Sequence, residues 1–439
     1  MRFALTELAR AVRGELVVPE AGSTGGSVEG LATDSRQVHA GQLFAALRAE
    51  RDGHEFVDAA VRAGAAAVLV ERVEQHDVAS IVVDDVGAAL PALASMARDH
   101  LPERVIGVTG SVGKTTTKDQ LASVLARRFV TAASERSFNN ELGVPLTLCN
   151  APDDVEAVVV EMGARGSGHI AFLCEMARPT VGIVTTVQAV HTEMMGGLEQ
   201  IARTKGELIE ALPDDGLAVL NAAVPLVEAM ASRTSARVLS FGDGGEVHAV
   251  DVTVDDELRA SFSLRSPWGA LDVRLGARGV HNVDNALAAA AAALWLGVTP
   301  DEVAAGLEVS EMSPWRMDLR PAPSGALVLN DAYNASPASV TAALHSLVAL
   351  PAQRRVAVLG LMGELGEDAP EHHRRIRSLA DELGVELVVV DTDLYGVDPV
   401  DGIDGALAAL DGLGDGDAVL VKASRVVGLE RVAAGLLDG

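Results

Sequence analysis

The stretch VIGVTGSVGKTTTKDQLASVL, residues 105–125, decides the fold of this chain. It opens with an apolar strand, glycines recur at positions 107, 110 and 113, and Lys114 and Thr115 begin a helical segment. In such a turn backbone N–H groups converge on a phosphate, the helix N-terminus adds positive charge, lysine reaches the terminal phosphates and threonine can ligate magnesium. The sequence therefore predicts a loop that binds ATP, with GTP as the alternative.

The loop departs from the usual spacing at one position. The pattern G-x-x-x-x-G-K-[ST] requires a glycine at 108, where this chain has Val108. The strand, the glycines, the lysine and the helix nevertheless agree with one another, so we keep the interpretation. The residues expected to contact the nucleotide here are Gly110, Ser111, Val112, Gly113, Lys114, Thr115 and Thr116.

The same alternation of strand, turn and helix continues on the C-terminal side of this loop. Further strand candidates are AVVVEMG (157–163), VGIVTTV (181–187) and GLAVLN (216–221), and each is followed by a helical stretch. This alternation predicts a parallel sheet with helices on both faces. A strand-rich insert at 248–275 and an alanine-rich helix from His281 complete the central region.

The flanking regions have their own patterns. Residues 1–102 alternate short helices and strands and open with an amphipathic helical pattern, whereas residues 309–321 read as a linker. Four further strand candidates then indicate a second doubly wound sheet. The fold class we predict is α/β with three domains: a small N-terminal substrate domain (1–102), a central P-loop ATPase domain with a parallel sheet (103–314) and a C-terminal Rossmann-like domain (315–439).

Composition limits the partners. Lysine and arginine number 35 against 62 aspartates and glutamates, a net charge of −27 that disfavours nucleic acid and anionic membrane surfaces. The two cysteines, Cys149 and Cys174, are too few for a disulfide framework and indicate a reducing cytosol. The apolar run at 286–296 is shorter than the roughly 20 residues that span a bilayer. We expect a cytoplasmic monomer without stable membrane insertion.

One lysine lies in an unexpected place. In residues 196–212, Leu198, Ile201, Leu208 and neighbouring apolar positions form a stripe that faces a core, and Lys205 sits in the middle of it. Its amine must either extend to solvent or be buried in an environment that compensates the cost of burial. A buried lysine with a lowered pKa can add carbon dioxide and become a carbamate, whose oxygens can bind metal. The residues alone leave both alternatives open.

Phosphoryl transfer requires a metal, and metal ions require oxygen or imidazole ligands. Two candidates follow strands of the predicted central sheet. Glu161 closes the strand candidate AVVVEMG (157–163), and His191 follows the strand that begins at Val181. Because Glu161 lies in the same predicted sheet as the phosphate loop, we predict that it ligates magnesium beside Thr115. For His191 the residues alone leave two alternatives open, a metal ligand and an ordinary polar residue, and its role as a ligand follows only from the family resemblance given below.

Several segments together carry a resemblance to a known family. These segments are the glycine loop, TDSR (33–36), FNNELGVP (138–145), EMGARGSGHI (161–170), GVHNVDNA (279–286), WRMDL (315–319), NDAYNASP (330–337) and LGLMGELGEDAPEHH (359–373). They resemble the Mur ligases, ATP-dependent enzymes that form amide bonds in cell-wall synthesis. The likeness covers nearly the whole chain and is greatest to the members that add D-alanyl-D-alanine to UDP-N-acetylmuramoyl-tripeptide.

The resemblance implies roles for particular residues. Lys205 would be carbamylated and help hold the second of two magnesium ions, with Lys114, Glu161 and His191 as its catalytic companions. Asn282, Arg316, Asp331, Tyr333 and Asn334 would contact the nucleotide. Ser35, Arg36, Asn139, Asn140, Lys422 and Ser424 would contact the substrates.

The activity that the resemblance implies is ATP-dependent phosphorylation of the tripeptide carboxylate to an acyl phosphate, which the amine of D-alanyl-D-alanine then attacks. Two alternatives stay open. A sibling ligase that adds a single amino acid would share the central domain, although the DNPR tetrapeptide of its diaminopimelate-adding relatives is absent here. The other alternative is a non-catalytic nucleotide-binding scaffold.

Overall fold

The computed structural model describes residues 1–19, 26–74, 76–188 and 197–438, and its N-terminal part forms a small α/β unit. The elements are β1 (Arg2–Ala4), α1 (Leu5–Ala11), β2 (Glu15–Val17), β3 (Ser27–Glu29), β4 (Leu31–Ala32), β5 (Leu43–Ala45), α2 (Val57–Ala63), β6 (Ala67–Val70), β7 (Ala79–Val82) and α3 (Val86–Asp99). The larger sheet has the order β2-β7-β6-β5-β4, with only β2 antiparallel to its neighbour. β1 and β3 form a separate antiparallel pair.

The central part is built on a six-stranded parallel sheet of order β13-β12-β11-β8-β10-β9. Its elements are β8 (Val105–Thr109), α4 (Lys114–Leu125), β9 (Thr131–Ala133), α5 (Gly143–Cys149), β10 (Ala157–Glu161), α6 (His169–Ala177), β11 (Val181–Val184), α7 (Leu198–Glu210), β12 (Leu217–Asn221), α8 (Pro225–Glu228) and β13 (Arg237–Phe241). An antiparallel sheet of β14 (His248–Val254), β15 (Arg259–Ser266) and β16 (Gly269–Arg278) follows, then α9 (Asn282–Trp295) and α10 (Pro300–Glu308).

The C-terminal part carries a mixed five-stranded sheet of order β17-β18-β21-β19-β20. Its elements are β17 (Asp318–Pro321), β18 (Leu327–Asn330), α11 (Pro337–Ala349), β19 (Arg354–Leu359), α12 (Ala369–Glu382), β20 (Glu386–Val389), α13 (Gly402–Ala409), β21 (Asp417–Lys422) and α14 (Glu430–Asp438). Two apolar clusters cover its opposite faces, as expected of a doubly wound sheet.

The sheet positions the phosphate loop. Every residue of β8 is buried, which explains its continuous apolar pattern, because a parallel strand covered on both faces has no solvent side. Helices α5, α6 and α7 cover one face, and α4, α9 and α10 cover the other. The loops that follow β8, β10 and β11 therefore meet at one edge.

The α/β class with three regions is confirmed, and so are the insert and the alanine-rich helix. Two local expectations were wrong. The N-terminal amphipathic pattern forms a helix only over Leu5–Ala11, because the residues on either side pair as strands with β3 and β7. The predicted linker ends in a strand, since Asp318–Pro321 pairs along the edge of the C-terminal sheet.

Helix α7 confirms the helical pattern around Lys205, although Leu198 is 44% exposed instead of facing the core. The two cysteines are buried, and burial raises the pKa of both thiols to about 12. None of the helices in the described ranges is both long and apolar enough to cross a bilayer.

Candidate active site

Two glycines give the phosphate loop its shape. Gly110 has φ +149°, and a Cβ atom there would lie 1.9 Å from the hydroxyl oxygen of Thr185. Gly113 has φ +84°, and its Cβ atom would lie 2.3 Å from Oδ1 of Asn285. Glycine is the residue that accepts such a backbone and such close neighbours. The loop therefore packs closely between Thr185, at the end of β11, and helix α9.

Hydrogen bonds from the next strand hold the rest of the loop. The Ser111 amide donates to the Thr186 carbonyl at 2.8 Å, and the Val112 amide donates to the Thr186 hydroxyl at 3.3 Å. The Ser111 hydroxyl donates to the Gln188 carbonyl at 3.1 Å. Thr116 is buried in the first turn of α4. These hydrogen bonds fix the conformation of the loop.

Lys114 lies across the mouth of this loop. Its Nζ donates to the carbonyl oxygens of Gly110 at 2.9 Å and Ser111 at 3.2 Å. Burial lowers the pKa of Lys114, the carboxylates of Glu161 and Glu364 raise it, and the guanidinium of Arg316 lowers it. Charges from the central sheet, the linker and the C-terminal part therefore converge on this ammonium group.

A hydroxyl pair and an arginine stand beside it. The hydroxyls of Thr115 and Ser137 are 2.9 Å apart, and Nη2 of Arg316 donates to them at 2.9 and 3.0 Å respectively. Arg316 also stacks on the ring of Tyr333, with its Cζ 4.3 Å from the ring centroid. The linker thus reaches the predicted magnesium-binding threonine directly.

Glu161 fits a metal ligand. It ends β10, is 1% exposed, and accepts a hydrogen bond from Nδ2 of Asn139 at 2.8 Å through Oε1. Its other oxygen, Oε2, is buried and has no hydrogen-bond partner within the described part of the chain. A buried carboxylate oxygen that has no donor is costly unless a cation satisfies it. The residues at this edge are therefore compatible with a magnesium ion.

Lys205 does not extend to solvent. Its side chain is 2% exposed, and its ammonium group has no hydrogen-bond partner among the described residues. Burial lowers the pKa of Lys205 well below 10.5, and the nearby charge of Lys114 lowers it further. These are the conditions that leave an amine neutral and able to react with carbon dioxide. His191, the remaining predicted ligand, lies outside the described residues.

The described ranges contain no cluster of three or more His, Cys, Asp or Glu side chains arranged for a metal. The predicted ligands that lie in these ranges are instead the hydroxyl of Thr115, the carboxylate of Glu161 and the amine of Lys205. All three belong to segments that meet at the same edge of the central sheet.

The linker is held in an unusual conformation. Trp315 and Met317, on either side of Arg316, have φ of +61° and +50°. The Met317 amide donates to Oδ1 of Asp331 at 3.2 Å, and the guanidinium of Arg425 stacks 4.5 Å from the Trp315 ring centroid. Left-handed backbone at non-glycine residues persists where the surroundings enforce it. Here it directs the arginine at Thr115.

The other residues that were predicted to contact the nucleotide form hydrogen bonds and ion pairs within the protein. Nδ2 of Asn282 donates to the Arg278 carbonyl at 2.6 Å, and Oδ1 of Asn282 accepts from Asn285 at 2.7 Å. Asp331 forms an ion pair with Lys422 at 2.5 Å, and Lys422 also donates to the Asn334 carbonyl at 2.8 Å. Contacts with a nucleotide at these positions stay predictions.

The predicted substrate residues occupy two places. Ser35 and Arg36 lie in a short 3-10 helix at the surface of the N-terminal unit, where the Arg36 guanidinium lowers the pKa of Asp34. Asn140 accepts hydrogen bonds from the Leu142 and Gly143 amides at 3.2 and 3.0 Å and so caps the start of α5. Ser424 is buried and accepts from the Gly363 amide at 2.7 Å. Their contacts with substrate also stay predictions.

Sequence reasoning assigned no role to four residues that the structure places here: Ser137, Thr185, Asn285 and Glu364. For Asn285 the sequence offers one signal, a polar residue at the start of an otherwise apolar helix. The others come close only through the tertiary fold.

The fold and this site define a nucleotide-binding protein with a phosphate loop in a central parallel sheet and a site completed by its C-terminal part. Three family models match the chain: "Mur ligase family, catalytic domain" over residues 27–102, "Mur ligase middle domain" over 108–293 and "Mur ligase, glutamate ligase domain" over 315–425. The chain belongs to the Mur ligase family.

Individual relatives agree with this family. The UDP-N-acetylmuramoyl-tripeptide–D-alanyl-D-alanine ligase of Mycobacterium tuberculosis is 41% identical over 92% of this chain and 91% of its own length. MurF from Acinetobacter baumannii superposes with a TM-score of 0.87 at 31% identity, covering 100% of this chain and 99% of that one. MurF from Thermotoga maritima, solved in complex with ADP, gives a TM-score of 0.80 at 29% identity and covers 94% and 97%.

Proposed function

We propose that this chain is an ATP-dependent ligase that joins D-alanyl-D-alanine to UDP-N-acetylmuramoyl-tripeptide, forming ADP and phosphate in peptidoglycan precursor synthesis. The observation that carries the proposal is that Lys114, the buried carboxylate of Glu161 and the linker residue Arg316 come together at one phosphate loop. The 41% identity to a ligase of that name over nearly the whole chain supports the choice of substrates.

The reaction needs positioning and neutralised charge more than a protein nucleophile. Lys114 and the amides of the glycine loop hold the triphosphate, and Arg316 contacts its terminal phosphate across Thr115. The tripeptide carboxylate attacks the terminal phosphorus of ATP, the bond to ADP breaks, and an acyl phosphate forms. The ammonium group of the dipeptide releases one proton, and the resulting amine attacks the acyl carbon. Phosphate then leaves, and the nitrogen loses a second proton as the amide forms.

Magnesium would be held by Thr115, Glu161, His191 and a carbamate on Lys205, and it would neutralise the charge of the phosphates. Forming that carbamate joins carbon dioxide to the neutral amine with release of one proton. The resulting anion would replace a buried amine with oxygens that can bind metal. Two magnesium ions are expected, as the resemblance to the Mur ligases implies.

The substrates would approach from opposite sides. Asn282, Tyr333 and Asn334 would lie near the base and Asp331 near the ribose. Ser35 and Arg36 would bind the uridine diphosphate, Asn139 and Asn140 the peptide, and Lys422 and Ser424 the dipeptide side of the site. Lys422 ends β21 and forms an ion pair with Asp331, which follows β18. We therefore expect Lys422 to help bind the dipeptide by holding the ends of these two strands in place. A cytoplasmic monomer remains our expectation.

Phosphate release tests the proposal. We expect the full-length protein to release phosphate only when ATP, magnesium, UDP-N-acetylmuramoyl-tripeptide and D-alanyl-D-alanine are all present. A Lys114→Met variant is the inactive control, and Arg127→Met, an exposed change at the far end of α4, should remain active.

The proposed ligase, the sibling ligase and the non-catalytic scaffold give different results in this assay. Release with a single amino acid in place of the dipeptide would favour the sibling ligase. Nucleotide binding without release under any combination would favour the scaffold. Either result would overturn the proposed function.

A further inference from the structure

The turn that follows β19 is fixed on both sides by buried groups. The Met362 amide donates to Nε2 of His373 at 2.9 Å, and the Gly363 amide donates to the Ser424 hydroxyl at 2.7 Å. His373 is fully buried and Ser424 is 6% exposed. The next residue but one, Leu365, packs into the apolar core of the C-terminal part. The backbone of this turn therefore has little freedom.

Glu364 occupies the strained position of this turn. Its φ is +63°, a left-handed conformation that an L-residue with a long side chain rarely adopts. The pinned amides before it and the buried leucine after it enforce that conformation. Strain that is maintained in this way concentrates at functional sites. Packing alone does not call for a carboxylate here, since glycine would fit the backbone better.

The position of Glu364 connects the C-terminal part to the phosphate loop. Two carboxylates among the described residues act on the Lys114 ammonium, Glu161 and Glu364, and only Glu364 comes from the C-terminal part. The turn 361–367 and Ala369 line a cavity of about 640 Å³. A dipeptide fits a space of that size.

The chemistry of the incoming group requires a negative partner at this place. The inference rests on the proposed function, in which the acyl carbon under attack lies beside Lys114. The dipeptide arrives with a protonated amine, and Lys114 and Arg316 repel it. We propose that Glu364 binds the ammonium group of D-alanyl-D-alanine and orients its nitrogen toward the acyl carbon. The strained turn fixes the backbone position from which this carboxylate extends.

Binding of two dipeptides tests this role. D-Alanyl-D-alanine and its N-acetyl form, which lacks the ammonium group, are titrated into the full-length protein with UDP-N-acetylmuramoyl-tripeptide and a non-hydrolysable ATP analogue. The wild type and Glu367→Gln, an exposed carboxylate on the same cavity, should prefer the free amine by about tenfold or more. Glu364→Gln should lose that preference and bind the N-acetyl form as the wild type does.

Kinetics separate this role from a structural one. In Glu364→Gln the KM for the dipeptide should rise by about tenfold while the KM for ATP changes less than about twofold. Acyl phosphate trapped by borohydride without dipeptide should be unchanged. Glu364→Asp keeps the charge and tolerates the left-handed backbone, so it should retain the preference for the free amine even if Glu364→Gln folds poorly.

Two results would overturn the inference. Glu364→Gln could keep the amine preference in an otherwise active protein, or it could change only the KM for ATP, as expected if Glu364 merely pairs with Lys114 to close the site. A wild type that binds no dipeptide would overturn the proposed function and this inference with it.

Discussion

At the scale of single residues, Lys205 shows how burial changes chemistry. The unfolded chain keeps an ordinary lysine pKa, whereas burial places the folded pKa well below 10.5. Between those two values the unfolded state holds a proton that the folded state lacks. The free energy of unfolding therefore falls as the pH falls from 10.5 toward the folded pKa. At neutral pH the unmodified amine costs stability, which indicates that it is retained for function.

We expect Lys205→Met to raise the melting temperature in buffer depleted of carbon dioxide and to lower the ligase rate by about a hundredfold. The methionine fills similar volume without a charge to desolvate. Thermal denaturation and phosphate release measure the two effects. Arg203→Gln, on the exposed side of the same helix, is the control and should change neither.

The carbamate adds a second readout. Wild-type activity should fall in buffer depleted of carbon dioxide and return with bicarbonate, and isotopically labelled bicarbonate should give a new carbonyl resonance that Lys205→Met lacks. Activity that ignores bicarbonate, without such a resonance, would rule out the modification.

At the scale of elements, the phosphate loop depends on glycines for two separate reasons. Gly113 needs a left-handed backbone and also lies against the Asn285 amide, whereas Gly244 has a similar φ of +76° with no atom within 4 Å of its added Cβ. The two positions therefore share the backbone cost of a substitution, about 1 kcal/mol. Only Gly113 has a neighbour that an alanine would displace.

We expect Gly113→Ala to weaken ATP binding by about tenfold or more, because the loop must move away from Asn285 and its amides lose their alignment. Titration with a fluorescent ATP analogue measures the affinity. Gly244→Ala should lose comparable stability but bind ATP like the wild type. Equal affinities in both variants would show that the contact with α9 does not shape the loop.

At the scale of the whole molecule, the N-terminal unit and the central part share one apolar core. The largest cluster runs from Phe3 and Leu90 through Leu148 to Leu208, and Asn150 bonds the Leu31 backbone at 2.8 and 2.9 Å. The clusters of the C-terminal part draw their residues from positions 317–433, with Leu258 as the exception. Two cooperative units therefore make up the described chain.

Calorimetry of the nucleotide-free protein should show two transitions. Leu90→Ala should lower the transition of the N-terminal and central unit, and Leu420→Ala should lower that of the C-terminal unit, each by about 2–5 kcal/mol of unfolding free energy. Both leucines are fully buried, so the variants are matched. A single transition that both variants lower equally would contradict the division.

Much of the chain was readable from its local patterns. The alternation of strand and helix, the glycine loop before Lys114, the strand-rich insert and the family all follow from residues that are close in sequence, and the fold class and family are confirmed. Elements form where local periodicity matches the geometry of a helix or a strand, which is why these features are visible without a structure. The helix around Lys205 is one such case.

The tertiary structure alone decided which side chains meet. Arg316 donates to Thr115 across 201 positions of the chain, and the charge of Glu364 acts on Lys114 from the C-terminal part. The burial of Lys205 was one of two open alternatives. Strand order determines which loops share an edge, and periodicity carries no information about strand order. Local patterns set the elements, whereas packing between distant segments sets the charges and contacts of the site.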